Sequence, residues 1–297
     1  MIKLHLMTVS LLLVASVPAC VSSAEDDNVT GGHTGPADPD GTVIGPPEAR
    51  GRTAAYFPEG GLRIVDYDVY DGRAIIEGDI DIGAAEDVIE VAEGVELKDL
   101  PAQAWTSFGA TKWPSGTINY QAPSLDHLGT TRYNAVYTAI ARLINETHMD
   151  FQLVSSSSSA NRIVFTNAIS GASSSPVGMQ GGAQFVRLTI DADVTTIMHE
   201  IMHAAGFWHE QSRTDRSSYI DINWICIEPG REHNFESHSG LSNVTYDTHS
   251  IMHYRSTAFV RDDIAGCTWT SRRENGTLIP RNTALSSKDV DSINLWY

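Results

Sequence analysis

The sequence has few cysteines, few basic residues and almost no long hydrophobic run. Only three of its 297 residues are cysteine, so a disulfide framework cannot be its main source of stability. It has 20 basic against 37 acidic residues, which argues against a basic nucleic-acid-binding surface. The one long apolar run, at the N-terminus, is too short to span a bilayer. The composition is otherwise that of a globular protein with one large domain or two small ones.

Residues 1–24 are predicted to be an export signal. Lys3 precedes an apolar stretch of about the length that such signals use. Two processing sites compete. The tripeptide that ends at Ala24 has the small residues of ordinary cleavage, whereas the tetrapeptide that ends at Cys20 is similar to a bacterial lipobox, in which the cysteine carries lipid. Both alternatives predict a secreted, extracellular protein, and the second adds a membrane anchor through Cys20.

The chain after this signal changes in composition and charge. Residues 25–52 are rich in Gly, Pro, Asp and Thr, which predicts a flexible linker. Residues 21–103 carry 19 acidic and 5 basic side chains, whereas residues 104–297 carry 18 and 14. This asymmetry predicts an acidic pro-segment at 53–103 ahead of a working domain at 104–297. The alternative is a solvated acidic N-terminal region with no such role.

Hydrophobic periodicity predicts a mixture of strands and helices in the working domain. The predicted strands are 117–120, 162–166 and 185–190, and the predicted helices are 131–146, 194–206 and 286–297. The third strand would face inward with Val186, Leu188 and Ile190. Asp193 is a candidate N-cap for the second helix, and the last helix would face inward with Trp296.

Three histidines and a glutamate carry the strongest chemical signal. His199 and His203 are four residues apart, so on a helix they project from the same face one turn apart. Two imidazoles in this arrangement can bind one zinc ion, and Glu200, offset around the helix, can reach a water at the metal. Gly206 permits a sharp turn that returns His209 as a third ligand. Three neutral nitrogens leave one position open, which is typical of a catalytic zinc site with one ion per subunit.

The whole string from His199 to Arg216 resembles the extended signature of the astacin family of metzincin endopeptidases. Downstream, Ser-Ile-Met-His-Tyr at 250–254 is similar to the Met-turn of that family. The resemblance implies that Met252 forms the hydrophobic base beneath the zinc. It also implies that Tyr254 ligates zinc and then stabilises the transition state.

The resemblance implies an α+β fold of two subdomains. The N-terminal half would contain a twisted, mostly antiparallel sheet and the zinc helix, and the irregular C-terminal half would be closed by a short helix. It further implies zinc as cofactor and proteins or peptides as substrates, which would lie extended beside residues 185–190 while Glu200 transfers protons. A basic pocket for an acidic residue after the cut would use Arg281 or Arg255. The pattern at Cys20 suggests a bacterial secreted or lipoprotein member.

Part of the pro-segment resembles the inhibitory region of the family. Ile-Glu-Gly-Asp-Ile at 76–80 is similar to the motif whose aspartate occupies the open zinc position, although Ile76 replaces the aromatic residue of the family. This resemblance implies a zymogen that Asp79 silences and that an activating protease cuts near residues 100–108. A simple turn is the alternative. In the family the new amino terminus is buried near the glutamate after the third histidine, which is Glu210 here.

Two cysteines remain after the predicted signal, and they enclose a loop of about 40 residues. The two disulfides that are usual in the family have no counterparts, since none of their four cysteines is present. In an oxidising compartment, a Cys226–Cys267 bridge could contribute about 3–4 kcal/mol on the chain-entropy model. Two buried thiols are the alternative.

Other functions compete with a secreted zinc endopeptidase. A zinc-containing surface protein that only binds peptides would have no need of Glu200, which is present. An adhesin or lipoprotein with little catalytic turnover would be favoured by lipid on Cys20. A metal-dependent hydrolase of a non-peptide bond accounts for the zinc ligands but not for the Met-turn.

Overall fold

The structure, a computed structural model, covers most of the chain after the predicted linker. It describes residues 45–57, 61–100, 111–237 and 244–297, together with the main chain of 106–107. The predictions for the export signal, for Cys20 and for most of the linker lie outside these residues. The described residues belong to one compact unit. No helix among them has the length and apolar composition needed to cross a membrane. We call residues 45–100 the N-terminal region and residues 111–297 the C-terminal region.

Eleven strands and three α-helices are present in the described residues. The strands are β1 (Ala49–Phe57), β2 (Gly61–Tyr70), β3 (Arg73–Ile76), β4 (Ile80–Ala84), β5 (Thr106–Ser107), β6 (Thr117–Gln121), β7 (Asp150–Val154), β8 (Arg162–Asn167), β9 (Ala183–Leu188), β10 (Ile220–Ile222) and β11 (Ser271–Arg273). The helices are α1 (Leu125–Glu146), α2 (Val194–Ala205) and α3 (Ser287–Trp296). Single-turn 3₁₀ helices cover Ala85–Asp87, Leu97–Asp99, Pro114–Gly116, Glu210–Ser212, Arg216–Ser218, Trp224–Cys226 and Glu232–Phe235.

The N-terminal region forms four strands of a sheet in the order β4-β3-β2-β1-β5, whose last strand lies beyond residue 100. Its first four strands pair antiparallel, and β1 also pairs in parallel with β5. The tight turn at Asp71-Gly72 has positive φ angles of 50° and 66°, the conformation that two-residue hairpins require. One face buries an apolar cluster that includes Phe57, Val65 and Ile76 and to which Val177 of the C-terminal region also belongs.

This sheet corrects the predicted end of the linker at residue 52. The strand β1 begins at Ala49, because Arg50 and Arg52 form cross-strand ion pairs with Asp68 and Asp66 at 3.0 and 2.9 Å. The polar composition of these residues predicted a linker. Opposite charges on facing strands, however, stabilise a sheet. The pairing of β1 with β5 also carries the sheet across the predicted boundary at 103/104.

The C-terminal region contains a second sheet in the order β7-β6-β8-β9. All three strand pairs are parallel, so the prediction of a mostly antiparallel sheet is wrong here. The physical reason is the connection: the 22-residue helix α1 links β6 to β7, and a crossover of that length returns the chain in the same direction. The α+β class itself is confirmed by the mixed sheets and the three helices of the described residues.

The main core lies between this parallel sheet and the helices α1 and α2. The predicted inward faces hold for Val186 and Leu188, which are fully buried, but fail for Ile190, which is 77% exposed. The strand ends at Leu188, and Thr189 turns inward to bond Ser173, so the period-two alternation stops there. Trp296, predicted to face inward, is 38% exposed.

The remainder of the C-terminal region is irregular, as the resemblance implied. It holds the short pair β10–β11 and several 3₁₀ turns. A disulfide joins Cys226 to Cys267 across 41 residues of sequence. The helix α3 closes the chain with a reciprocal capping box between Ser286 and Asp289.

Candidate metal centre and active site

The helix α2 fixes the first two histidines. Asp193 caps its N-terminus by accepting a hydrogen bond from the Thr196 amide at 2.9 Å, and all its residues from Thr195 onward are buried. The Nδ1 atoms of His199 and His203 lie 2.8 Å from the carbonyl oxygens of Ile251 and Phe207. These contacts fix each ring and direct both Nε2 atoms to a common point, as outer-shell carbonyls do for metal-ligating histidines.

The third histidine returns to the same point through a tight helix end. Gly206 has a φ of 112° and its amide bonds the carbonyl of His203, a left-handed conformation that glycine adopts without steric cost. His209 follows and is completely buried. Its Nε2 lies 3.2 Å from Nε2 of His199.

A carboxylate from the N-terminal region completes the group. Oδ2 of Asp79 lies 3.3 Å from Nε2 of His199 and 3.2 Å from Nε2 of His209. Its Oδ1 lies 3.6 Å from Nε2 of His203, and neither of these two buried atoms has a hydrogen-bond partner among the described residues. Four tetrahedral ligands at about 2.0–2.1 Å from zinc are about 3.3–3.4 Å apart. The four donors therefore fit one tetrahedral ion that would satisfy the orphaned atoms.

Contacts within the donor group shift the pKa values of its members. Burial opposes the charge of His209, but Asp79 and Glu77 outweigh it and raise its pKa to about 10, so zinc binding at His209 displaces a proton. Burial opposes the charge of Asp79, but the charge of His209 and the close contacts with all three histidines outweigh it and hold its pKa well below the usual value. Burial lowers the pKa of His203 to about 4, so its imidazole is neutral at physiological pH. A carboxylate and a neutral imidazole are the forms in which these side chains bind zinc.

The loop that carries Asp79 is tightly folded against the C-terminal region. Glu77 and Gly78 both have positive φ angles, 48° and 79°. A Cβ atom on Gly78 would lie 2.9 Å from Cζ of Phe259 and 3.4 Å from the hydroxyl of Tyr254. Position 78 therefore requires glycine for two reasons, its backbone conformation and the close approach of Phe259 and Tyr254.

Glu77 makes contacts that the sequence analysis missed. Its fully buried carboxylate accepts hydrogen bonds from Nδ1 of His209 at 2.7 Å and from the Ser212 hydroxyl at 2.6 Å. Its main-chain oxygen accepts a short hydrogen bond from the hydroxyl of Tyr254. The signal that could have found it is an acidic residue two positions before Asp79 inside the predicted inhibitory motif.

The cleft edge differs from the one predicted. Ser174 forms an antiparallel bridge with Arg187 of β9, so residues 173–175, not β9, form the outer edge. This edge is already paired: the Ser175 amide donates to the carbonyl of Asp79, and the Asp81 amide donates to the carbonyl of Ser175, both at 3.0 Å. The paired strands run parallel.

Two further carboxylates of the N-terminal region bond arginines of the C-terminal region. Asp81, whose side chain is 0% exposed, pairs with Arg187 at 2.6 Å and with Arg73 of its own sheet at 2.8 Å. Asp68, also buried, forms a short ion pair with Arg231. Neither Arg187 nor Arg231 was predicted, because these contacts join residues more than 100 positions apart in sequence.

The other predicted residues lie around the centre. Glu200 is fully buried on α2, and Met252 is buried in the main core, where its carbonyl accepts the Glu210 amide at 2.9 Å. The Glu210 carboxylate accepts from Arg213 and from the Asp247 amide, and burial raises its pKa to about 7. Arg281, a predicted pocket residue, instead pairs with the helix cap Asp193 at 2.8 Å, so it serves the start of α2.

A family model described as Astacin, a peptidase family, matches residues 106–297. The chain belongs to the astacin family. It is 37% identical over 195 residues to meprin A subunit beta of Mus musculus, an alignment that covers 61% of the chain and 27% of the relative. It is 31% identical over 257 residues to zinc metalloproteinase nas-6 of Caenorhabditis elegans, which covers 82% of the chain and 68% of that relative.

A solved structure carries the same fold. The astacin-like chain matches High choriolytic enzyme 1, a hatching enzyme zinc-protease from Oryzias latipes, with a TM-score of 0.54 and 28% identity. The match covers 62% of the chain and 92% of that structure.

Family membership and the donor group together establish zinc as the cofactor. The chain spans only about a quarter of the meprin subunits. These relatives are animal proteins, so the comparisons do not support the bacterial source that the lipobox pattern suggested.

Proposed function

We propose that the protein is a secreted zinc metalloendopeptidase made as a zymogen, which hydrolyses internal peptide bonds of proteins. The observation that carries the proposal is the buried group of three histidines and Asp79, with Glu200 on the same helix. Secretion rests on the predicted signal at 1–24, and a lipid anchor at Cys20 is the alternative form of export.

The chemistry divides between the cofactor and the chain. Zinc, when bound to His199, His203 and His209, supplies Lewis acidity that polarises a carbonyl and acidifies a water. Glu200 takes a proton from the attacking water and delivers it to the leaving nitrogen. The hydroxyl of Tyr254 donates a hydrogen bond to the oxygen on which negative charge develops.

The substrate lies extended along residues 173–175. An antiparallel strand added at this edge uses the main-chain groups of Ser175, which bond Asp79 and Asp81 in the present arrangement. The N-terminal region runs parallel to the same edge, so it occupies the cleft in the direction opposite to a substrate. A reversed chain presents no peptide bond in the productive orientation.

Latency rests on three contacts of one loop. Asp79 fills the fourth position of the donor group, Glu77 holds His209, and the Glu77 carbonyl holds the hydroxyl of Tyr254. An activating protease that cuts near residues 100–108 would release all three contacts together. The new amino terminus would then approach Glu210, whose buried carboxylate is bonded by Arg213 in the zymogen.

The test is zinc content and casein cleavage of the full chain before and after limited trypsin treatment. We expect about one zinc per chain in both forms and cleavage only after trimming. Glu200→Ala should keep its zinc, because Glu200 is not in the donor group, and should lose about 100-fold or more of the activity, the range that general acid–base catalysis supplies.

Other results would refute parts of the proposal. Equal activity before and after trimming would refute latency. Stoichiometric zinc without cleavage in any form would refute the endopeptidase and favour the peptide-binding or adhesin alternative. Activity that survives chelation would refute the zinc chemistry.

A further inference from the structure

Arg187 is held beside the cleft by contacts that do not depend on the N-terminal region. Its main chain pairs with Ser174 through two hydrogen bonds of 2.9 Å. Its guanidinium lies 5.6 Å from the ring centre of Phe185, which is two residues before it on the same strand β9. Both contacts are formed within the C-terminal region, so they remain when the N-terminal region leaves.

The partner of this cation does depend on the N-terminal region. Nη1 of Arg187 lies 2.6 Å from Oδ2 of Asp81, and the arginine side chain is only 17% exposed. The second cation on Asp81 is Arg73, which is part of the same region as the aspartate. Release of the N-terminal region therefore removes Asp81 and Arg73 together and leaves Arg187 next to the cleft without this carboxylate.

The backbone register places this cation along the substrate path. The main chain of Ser175 bonds the main chains of both Asp79 and Asp81. The side chain of Asp79 belongs to the donor group, and that of Asp81 pairs with Arg187. These two aspartates are two residues apart on an extended segment, about 6–7 Å. The strand direction shows on which side of the cleaved bond Arg187 lies. The N-terminal region runs parallel to residues 173–175, whereas a substrate would run antiparallel to them. The residues before the cleaved bond would therefore lie where the N-terminal region continues from Asp79 to Asp81.

We propose that Arg187 is a specificity-determining residue that binds an acidic side chain of the substrate, at the second or third residue before the cleaved bond. This inference rests on the proposed function and adds a substrate class to it. In the zymogen, the N-terminal region would fill this subsite with Asp81. Asp81 is itself an acidic residue, like the substrate residue that would replace it. A carboxylate paired with arginine gains charge-assisted hydrogen bonds that the matching amide does not form.

The test compares kcat/KM for matched quenched fluorescent peptides. The enzyme is the full chain, loaded with zinc and then trimmed with trypsin. The peptides carry Asp or Asn at the second or third residue before the bond, in a sequence first shown to be cleaved there. We expect kcat/KM to be about tenfold or more higher for Asp, the effect of one charge-assisted hydrogen bond. Arg187→Gln should bring the Asp/Asn ratio close to one, and Arg187→Lys should keep part of it.

Two further variants separate recognition from structural damage. Arg187→Glu should reverse the charge preference, so that a Lys peptide is cleaved faster than the Asp peptide, which a merely structural role cannot produce. Arg142→Gln makes the same charge change at an exposed position of α1 and should keep the wild-type ratio. Zinc content and thermal midpoint check that each variant is folded.

The outcomes distinguish this inference from the proposed function. Cleavage of both peptides by the wild type with equal kcat/KM, or an unchanged Asp preference in Arg187→Gln, would overturn the role of Arg187 and leave the endopeptidase intact. Zinc-loaded, trimmed wild type that cleaves neither casein nor any peptide would overturn both.

Discussion

The two regions of the molecule satisfy their buried acidic side chains in different ways. The N-terminal region buries four of them, and each bonds at least one partner in the C-terminal region. These acids are Asp68, Glu77, Asp79 and Asp81, with partners Arg231, His209, the three histidines and Arg187 respectively. Three acids are buried in the described part of the C-terminal region. Asp247 and Asp289 bond partners within that region, and Glu200 lies on the zinc helix.

This difference fits the proposed latency, in which one region inhibits and then leaves. A buried carboxylate without a partner is costly. Asp68 and Asp81 also pair with Arg50 and Arg73 of their own sheet, but the contacts of Glu77 and Asp79 with histidines form only when the N-terminal region lies on the C-terminal region. The C-terminal region has its own apolar core and its own disulfide. Removal of the N-terminal region therefore exposes cationic and metal-binding groups without dismantling that core.

The largest expected effect is a loss of stability on removal of the disulfide. Among the described residues, only the C-terminal region contains one. Replacing both Cys226 and Cys267 by serine should lower the free energy of unfolding by about 4 kcal/mol, since the bridge closes 41 residues. Denaturant unfolding of the full chain measures it. Reductant should reproduce the loss in the wild type and have no effect on the double variant. An unchanged midpoint would show that the bridge does not stabilise this region.

A second prediction concerns the tyrosine that both regions share. Tyr254→Phe should lower kcat of the trimmed enzyme about 100- to 1,000-fold with little change in KM, because it removes a donor that acts in the transition state. Steady-state kinetics on a quenched peptide measures both constants. Tyr133→Phe, on α1 beside Tyr137, is the matched control. A loss confined to KM would contradict this role.

A third prediction tests whether Glu77 contributes to the inhibitory contact. Glu77→Gln weakens the bonds to His209 and Ser212, worth about 1.5–3 kcal/mol for a charged acceptor. We expect about tenfold or more casein cleavage by untrimmed chain. Glu86→Gln, an exposed change in the same region, should leave the untrimmed chain silent. If both variants stay equally silent, Asp79 suffices for latency.

The smallest effect concerns the cap of the zinc helix, which lies wholly within the C-terminal region. Asp193→Ala should cost about 1 kcal/mol of stability at pH 7, measured by denaturant unfolding. Burial opposes the charge of Asp193, but bonds from Arg281 and the Thr196 amide outweigh it and lower its pKa to about 2. A lowered folded pKa stabilises above the unfolded value of about 3.9, so this contribution should fade as pH drops from about 4 to about 2.

The matched control for the cap is Ser124→Ala at α1. The Ser124 hydroxyl accepts a longer bond, 3.4 Å, and carries no charge, so we expect a smaller loss with no such pH dependence. Equal losses at pH 7 and pH 3 for Asp193→Ala would contradict the assigned pKa.

The zinc-binding part of the site was predictable because its geometry is local. His199 and His203 meet through helix periodicity, and Gly206 returns His209 within six residues of the second ligand. The cap of the zinc helix was predictable for the same reason, since Asp193 bonds an amide three residues ahead. The roles assigned to Glu200 and Tyr254 stay predictions until the variants are measured.

The sequence by itself determined the donor types, their spacing and the family that they indicate. The tertiary structure alone decided the parallel sheet, the cleft edge at residues 173–175, and the contacts of Glu77 and Asp81 with residues 132 and 106 positions away. The physical reason is range. A helix turn or a cap is set by neighbours in sequence, whereas strand order and buried ion pairs depend on which distant segments pack together and exclude water.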